Sequence, residues 1–147
     1  MKFLVCRSNS PLSLGVQFRT AGRWSHVAIV HNNGVDAIEA VYPHVRRTTV
    51  AAIRAAHSET ILREIPTPND MAGWAWALST IGDDYDWGAL FGILLDRDWT
   101  EEGRWFCAEH LAMAFEEAGA PQVEPGYTHF VYPQFWAMVR APFPLAA

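Results

Sequence analysis

The apolar and polar positions fall into short runs whose period assigns most of the elements. Residues 2–7 carry Phe3, Leu4, Val5 and Cys6 in succession and predict a strand. Residues 26–31 are an apolar, β-branched run and predict a second strand, and Asn32-Asn33-Gly34 then marks a hairpin turn into a third over 35–42. Residues 60–65 predict a further strand, ended by Pro66 and Pro68. Thr48 or Thr49 is placed to cap a short helix running to about His57. Asn69 or Asp70 is placed to cap another to about Ile81, with Gly82 as its stop. The clearest helix covers 107–118. There Cys107, Leu111, Ala114, Phe115 and Ala118 recur at helical spacing, and Gly119 ends the run. Residues 11–20, with Leu12, Leu14, Val16 and Phe18, fit a short helix or a loop equally well. Residues 83–99 read as irregular or partly helical, Val131-Tyr132 as a last strand, and Pro133 as the first residue of a closing helical turn.

Composition narrows the picture. A chain of 147 residues, half of them hydrophobic and 18% charged, has the size and balance of one globular domain. The net charge of -5 and the lack of a Lys/Arg stripe argue against nucleic acid as a partner. Arg46-Arg47 is too short to count as a basic patch and reads as a solvated turn. Two cysteines, Cys6 and Cys107, make no disulfide framework and are expected as free thiols in a reducing compartment. The apolar run at residues 3–6 is too short for a signal peptide, and no stretch reaches the length of a membrane span. A cytoplasmic protein without a membrane span is therefore expected; its oligomeric state is left open. The seven tryptophans, Trp99 among them, suit core packing or an aromatic-lined cleft.

Candidate chemistry centres on Cys107, at the first turn of its helix. Unpaired N–H groups and the positive end of the helix dipole favour a thiolate there, and the reactive form of cysteine is the thiolate. The competing reading is a small buried hydrophobe on the core face of the helix. His26 begins a strand, where a side chain can reach a cleft, although a strand histidine can also simply satisfy a carbonyl. On the returning strand Glu39 shares a face with Ala37 and Val41, and a carboxylate among apolar neighbours needs a partner. The hairpin turn sets position 26 about opposite 39 or 40, so Glu39 is expected to orient the His26 imidazole and stabilise its cation. Tyr85 is expected to add a hydroxyl beside the Cys107 N–H for a developing oxyanion, or to be a structural aromatic. His110, three residues after Cys107, is the weaker candidate base. As half of a Cys-x-x-His zinc pair it lacks further ligands, so no metal or cofactor is expected. His31 reads as a hairpin rim, and His44, His57 and His129 as solvent-facing.

Ser25-His26-Val27-Ala28-Ile29-Val30, Ile38-Glu39-Ala40, Gly82-x-x-Tyr85-Asp86 and Trp105-Phe106-Cys107-Ala108-Glu109-His110-Leu111 stand in that order. The order resembles the permuted NlpC/P60 superfamily, in its YiiX/YebB-like branch, over roughly residues 2–140. The resemblance implies an α+β, circularly permuted papain-like fold, with a small antiparallel sheet packed on the helix that carries the cysteine. It implies a thiol hydrolase of the peptidase or amidase type, with Cys107 as nucleophile, His26 as base, Glu39 as the third polar residue and Tyr85 lining the site. Ala108 departs from the pattern, since Ser is commoner after the cysteine in this group; site shape is what that touches. Substrates in the superfamily range from cell-wall peptides to other amides and acyl groups, so a peptide or acyl-amide substrate is expected. The alternatives are an acyltransferase or thioesterase-like enzyme on a lipid substrate, and a non-catalytic binding protein that keeps the fold. A bacterial or phage origin fits the family, and a wall substrate would require delivery by another route, such as lysis.

Overall fold

Residues 1–88, 103–124, 127 and 131–139 are described by a computed structural model. Trp99 and His129 lie outside the described residues, as does the segment 89–102. In chain order the described elements are β1 (Lys2–Arg7), α1 (Pro11–Arg19), β2 (His26–Val30), β3 (Asp36–Val41), β4 (His44–Thr49) and α2 (Val50–Ala56). They continue with β5 (Glu59–Glu64), α3 (Asp70–Ser79), β6 (Asp84–Tyr85), β7 (Arg104–Trp105), α4 (Cys107–Glu117) and α5 (Pro133–Met138). The strands form one seven-stranded sheet in the order β5-β1-β2-β3-β4-β6-β7. Every pair is antiparallel except β6 with β7, which is parallel.

The class is α+β, but the sheet is larger than the small antiparallel one expected, and it is mixed. The extra strands are poor in apolar residues. In β4 only Val45 is buried, and β6 and β7 have two residues each. Arg46-Arg47 is therefore not a solvated turn; both residues lie in β4, opposite Glu39 and Ile38. Residues 11–20 form a helix because Ser10 accepts from the Ser13 N–H and Pro11 takes the first turn. Thr49 and Asn69 cap α2 and α3 in the same way, through the N–H groups of Ala52 and Ala72. Helix α3 stops at Ser79, two residues before the predicted end. Val131 and Tyr132 form no strand; Tyr132 is the residue on which α5 begins.

Strand alternation gives the sheet two unlike faces. Phe3, Val5, Val27, Ile29, Ile38 and Ala40 point to one side and pack with Trp74 of α3, Leu111 and Phe115 of α4 and Trp136 of α5. Leu4, Cys6, Ala28, Val30 and Ala37 point to the other and meet Val50 and Ile53 of α2. Helices α3 and α4 approach closely at Gly73, where an added Cβ would lie 2.4 Å from the Ala114 carbonyl oxygen.

Candidate active site

His26 and Glu39 share the α2 side of the sheet, on the same alternation as Ala28 and Ala37. Their pairing is diagonal. Ile29 opposes Ile38 and Val30 opposes Ala37, so the same register carries Ala28, not His26, opposite Glu39. The hairpin spans more residues than Asn32-Asn33-Gly34: the His31 N–H donates to the Asp36 carbonyl, and Asn33 Oδ1 accepts from the N–H groups of Val35 and Asp36. The shift is two residues, and an even shift leaves both side chains on the same face. Beyond those two pairs the β2–β3 ladder does not continue toward His26. The sheet is thus open at this end. Cys107, on the helix packed against the other face, lies near the His26 imidazole at this end.

The His26 imidazole lies between an acid and a thiol. Its Nε2 is 2.9 Å from Glu39 Oε2. Cys107 lies near enough to the ring to act on its charge. Glu39 is 3% exposed, and its other oxygen, Oε1, accepts from Nε and Nη2 of Arg46 at 3.0 and 2.8 Å. Burial disfavours the His26 cation, yet the bonds and charges of Cys107 and Glu39 outweigh it and raise its pKa to about 10. Burial likewise opposes ionised Glu39, but His26 and Arg46 pull its pKa down to about 2. The pair is therefore an ion pair near neutral pH.

Cys107 opens α4 behind Phe106, whose side chain makes no capping bond. The N–H groups of the first turn are thus free of a side-chain cap and face the thiol end of the helix. Both cysteines are free thiols. Cys6 pairs with His26 across β1 and β2, and burial first, then the charges of Glu39 and Cys107, push its thiol far up. Tyr85, carried by β6, lies close enough for charge at Cys107 to act on it. Burial and the charges of Cys107 and Asp86 raise its pKa well above the usual value, so its hydroxyl keeps its proton.

His110 turns elsewhere. Its Nε2 is 2.8 Å from the Thr80 hydroxyl, which itself donates to the Ala77 carbonyl, so His110 donates to Thr80. Its ring packs against Trp76 and Trp105, and burial lowers its pKa to about 3. It is a core histidine, and the weak claim on it as a base for Cys107 is corrected by the structure. His57 is corrected in the opposite sense. It is not solvent-facing but half-buried, stacked on His26 with centroids 5.5 Å apart and planes 3° apart. Its Nδ1 donates to the Ile53 carbonyl at 2.8 Å. Burial lowers its pKa, as does the charge of His26. Nothing local marked His57; α2 and β5 bring it to β2. Arg46 did leave a signal, because a buried Glu39 needs a cation and the following segment offers Arg46 and Arg47.

A cavity of about 330 Å³ opens beside the array. His26, Glu39, Tyr85 and Phe106 form its inner wall, with α1 and α2 on the other sides. Cys107 is not on the wall; it is 3% exposed, behind Phe106.

Fold and site together define an α+β protein with a buried Cys–His–Glu array at an opening in its sheet. No protein-family model and no curated protein matches the chain. Among solved structures it is similar to the crystal structure of YiiX, a metalloprotein from Escherichia coli O157:H7. The two share 20% identity at a TM-score of 0.65, over 84% of this chain and 68% of that one. At that identity the likeness is one of fold. Among the described residues no helix is long and apolar enough to cross a membrane.

Proposed function

We propose that the chain is a thiol hydrolase of the permuted, papain-like NlpC/P60 kind that cleaves an amide. The observation that carries this reading is His26 held between Glu39 and Cys107. In the reaction the proton of the Cys107 thiol already rests on the His26 imidazolium, and the sulfur attacks the amide carbonyl carbon as the thiolate. The Cys107 N–H and the protonated Tyr85 hydroxyl are the donors to the oxyanion. His26 then gives its proton to the leaving nitrogen as the C–N bond breaks, which leaves a thioester. Water, deprotonated by His26, attacks that carbonyl, and the C–S bond breaks to restore the thiolate beside the His26 imidazolium. Glu39 keeps the imidazole oriented and supports its cation; Arg46 holds Glu39.

The YiiX neighbour is described as a metalloprotein, and the donors here do not fit an ion. Both Glu39 oxygens are engaged, one by a guanidinium. The His26 and His57 rings are parallel, so their lone pairs lie in separate planes and do not converge. No step is assigned to a metal.

Alkylation by iodoacetamide at about pH 6, followed by mass spectrometry, tests the reading. Cys107 should label faster than a free thiol, His26→Ala should slow it by about tenfold or more, and Cys6 should stay unlabelled. A Cys107 rate equal to that of a free thiol, unchanged by His26→Ala, removes the catalytic assignment. Hydrolysis of cell-wall peptides against acyl esters then separates the amidase from an acyltransferase.

A further inference from the structure

The cavity next to the array has a polarity of its own. Its walls carry two cations, His26 and Arg46, against one carboxylate, Glu39, among the described residues. Both oxygens of that carboxylate are already occupied, by His26 and by Arg46. Arg46 uses Nε and Nη2 on Glu39, so Nη1 stays available in a guanidinium that is half exposed. A guanidinium has five N–H donors and no acceptor.

The wall hydroxyls are arranged in the same sense. Ser25 Oγ accepts from the Ser8 N–H, Ser8 Oγ from the Ser10 N–H, and Ser13 Oγ from the Ser10 hydroxyl. Ser25 and Ser8 are held as acceptors of backbone N–H groups, and among the described residues their own O–H groups have no protein acceptor, while the Ser10 and Ser13 hydroxyls bond each other. Ser25 is 8% exposed and lines the cavity, and among the described residues its O–H meets no protein acceptor. A ligand acceptor in the cavity can take these O–H donors.

A wall that donates, with Arg46 Nη1 available on it, suits an anion. The space sits at the small end of ligand sites, enough for a small group but not for a long chain. We propose that this cavity is a carboxylate subsite, which takes the carboxylate of an amino-acid or short-peptide part of the substrate through Arg46, Ser25, Ser13 and Ser8. The link to a substrate rests on the hydrolase reading; the binding itself does not.

The test is calorimetric titration of the Cys107→Ala protein with N-acetylglycine, its neutral methylamide and inorganic phosphate. N-acetylglycine should bind at least about tenfold tighter than either of the others. Ser25→Ala, and separately the partly exposed pair Ser8→Ala with Ser13→Ala, should each weaken it by about fivefold. Equal affinity for carboxylate and methylamide overturns the proposal, as does tighter phosphate binding or an unchanged Kd in both serine variants. Because no turnover is needed, a carboxylate that binds to a protein lacking His26-dependent thiol reactivity upholds the subsite while the hydrolase reading fails. Thiol reactivity without carboxylate preference does the reverse.

Discussion

Glu39 shows how much a single side chain depends on its surroundings. Alone in an apolar layer, it would be neutral or destabilising. With Arg46 on one oxygen and His26 on the other, it is ionised and holds the imidazole by its Nε2. Glu39→Gln keeps the shape and a hydrogen bond but removes the charge. An amide can also present its NH₂ to Nε2 and favour the wrong tautomer. Its kcat/KM should fall by roughly 10²–10⁴-fold, and the His26 pKa should drop toward the ordinary imidazole range. NMR titration of the His26 ring reads the second effect without a substrate. A His26 pKa unchanged in the variant would show that Glu39 does not support the cation. Arg47→Gln is the control: it pairs with Asp36 on the exposed side of the hairpin and should leave the His26 titration alone.

At the scale of elements, the contact between α3 and α4 decides where Cys107 sits, because α4 delivers it. Gly73 lets the two helix backbones come together at Ala114. Gly73→Ala puts a methyl against a backbone carbonyl that cannot rotate away, so the helices must separate. The expected cost is about 1–3 kcal/mol, several degrees of Tm in a thermal melt followed by circular dichroism. A melt that matches wild type would mean the interface yields freely. Elements were legible from sequence where burial imposes a period. The apolar runs of β1, β2 and β3 and the amphipathic α4 stand out because one face of each is in the core. β4 was missed because its burial falls on a single residue, Val45, and its other contacts are polar. The His26–Glu39 pair was read from the hairpin register, which is off by two residues, and an even error leaves both side chains on one face. His57 was not legible, since its place depends on helix α2 packing on the sheet and not on its neighbours in sequence. The opening between β2 and β3 likewise follows from a ladder that stops, and hydrophobic pattern does not encode where pairing ends.

For the whole molecule, the buried histidines set opposite limits on stability. His26 has a folded pKa near 10 against an ordinary 6.5. Its contribution is complete below 6.5 and is lost as pH rises toward 10. His110 is the reverse case, with a folded pKa near 3 against the same 6.5. The unfolded chain takes up a proton at this residue well before the fold can, so stability falls as pH drops from 6.5 toward 3. Glu39 adds to the acid loss only lower down, from about 4.5 to about 2. Stability should therefore peak near pH 6–7 and decline on both sides, with His26 on the alkaline limb and His110, joined by half-buried His57, on the acid limb. Urea denaturation at about pH 4.5, 6.5 and 9 measures this. His26→Asn should flatten the alkaline limb and leave the acid one. His110→Phe should make the acid limb shallower, with the share of His57 remaining, and Thr80 keeps its bond to the Ala77 carbonyl when the imidazole is gone. An alkaline limb that persists unchanged in His26→Asn would mean that the cation is not held in the fold. The same result would remove the basis for treating His26 and Cys107 as a working pair, because it is the same charge that both roles require.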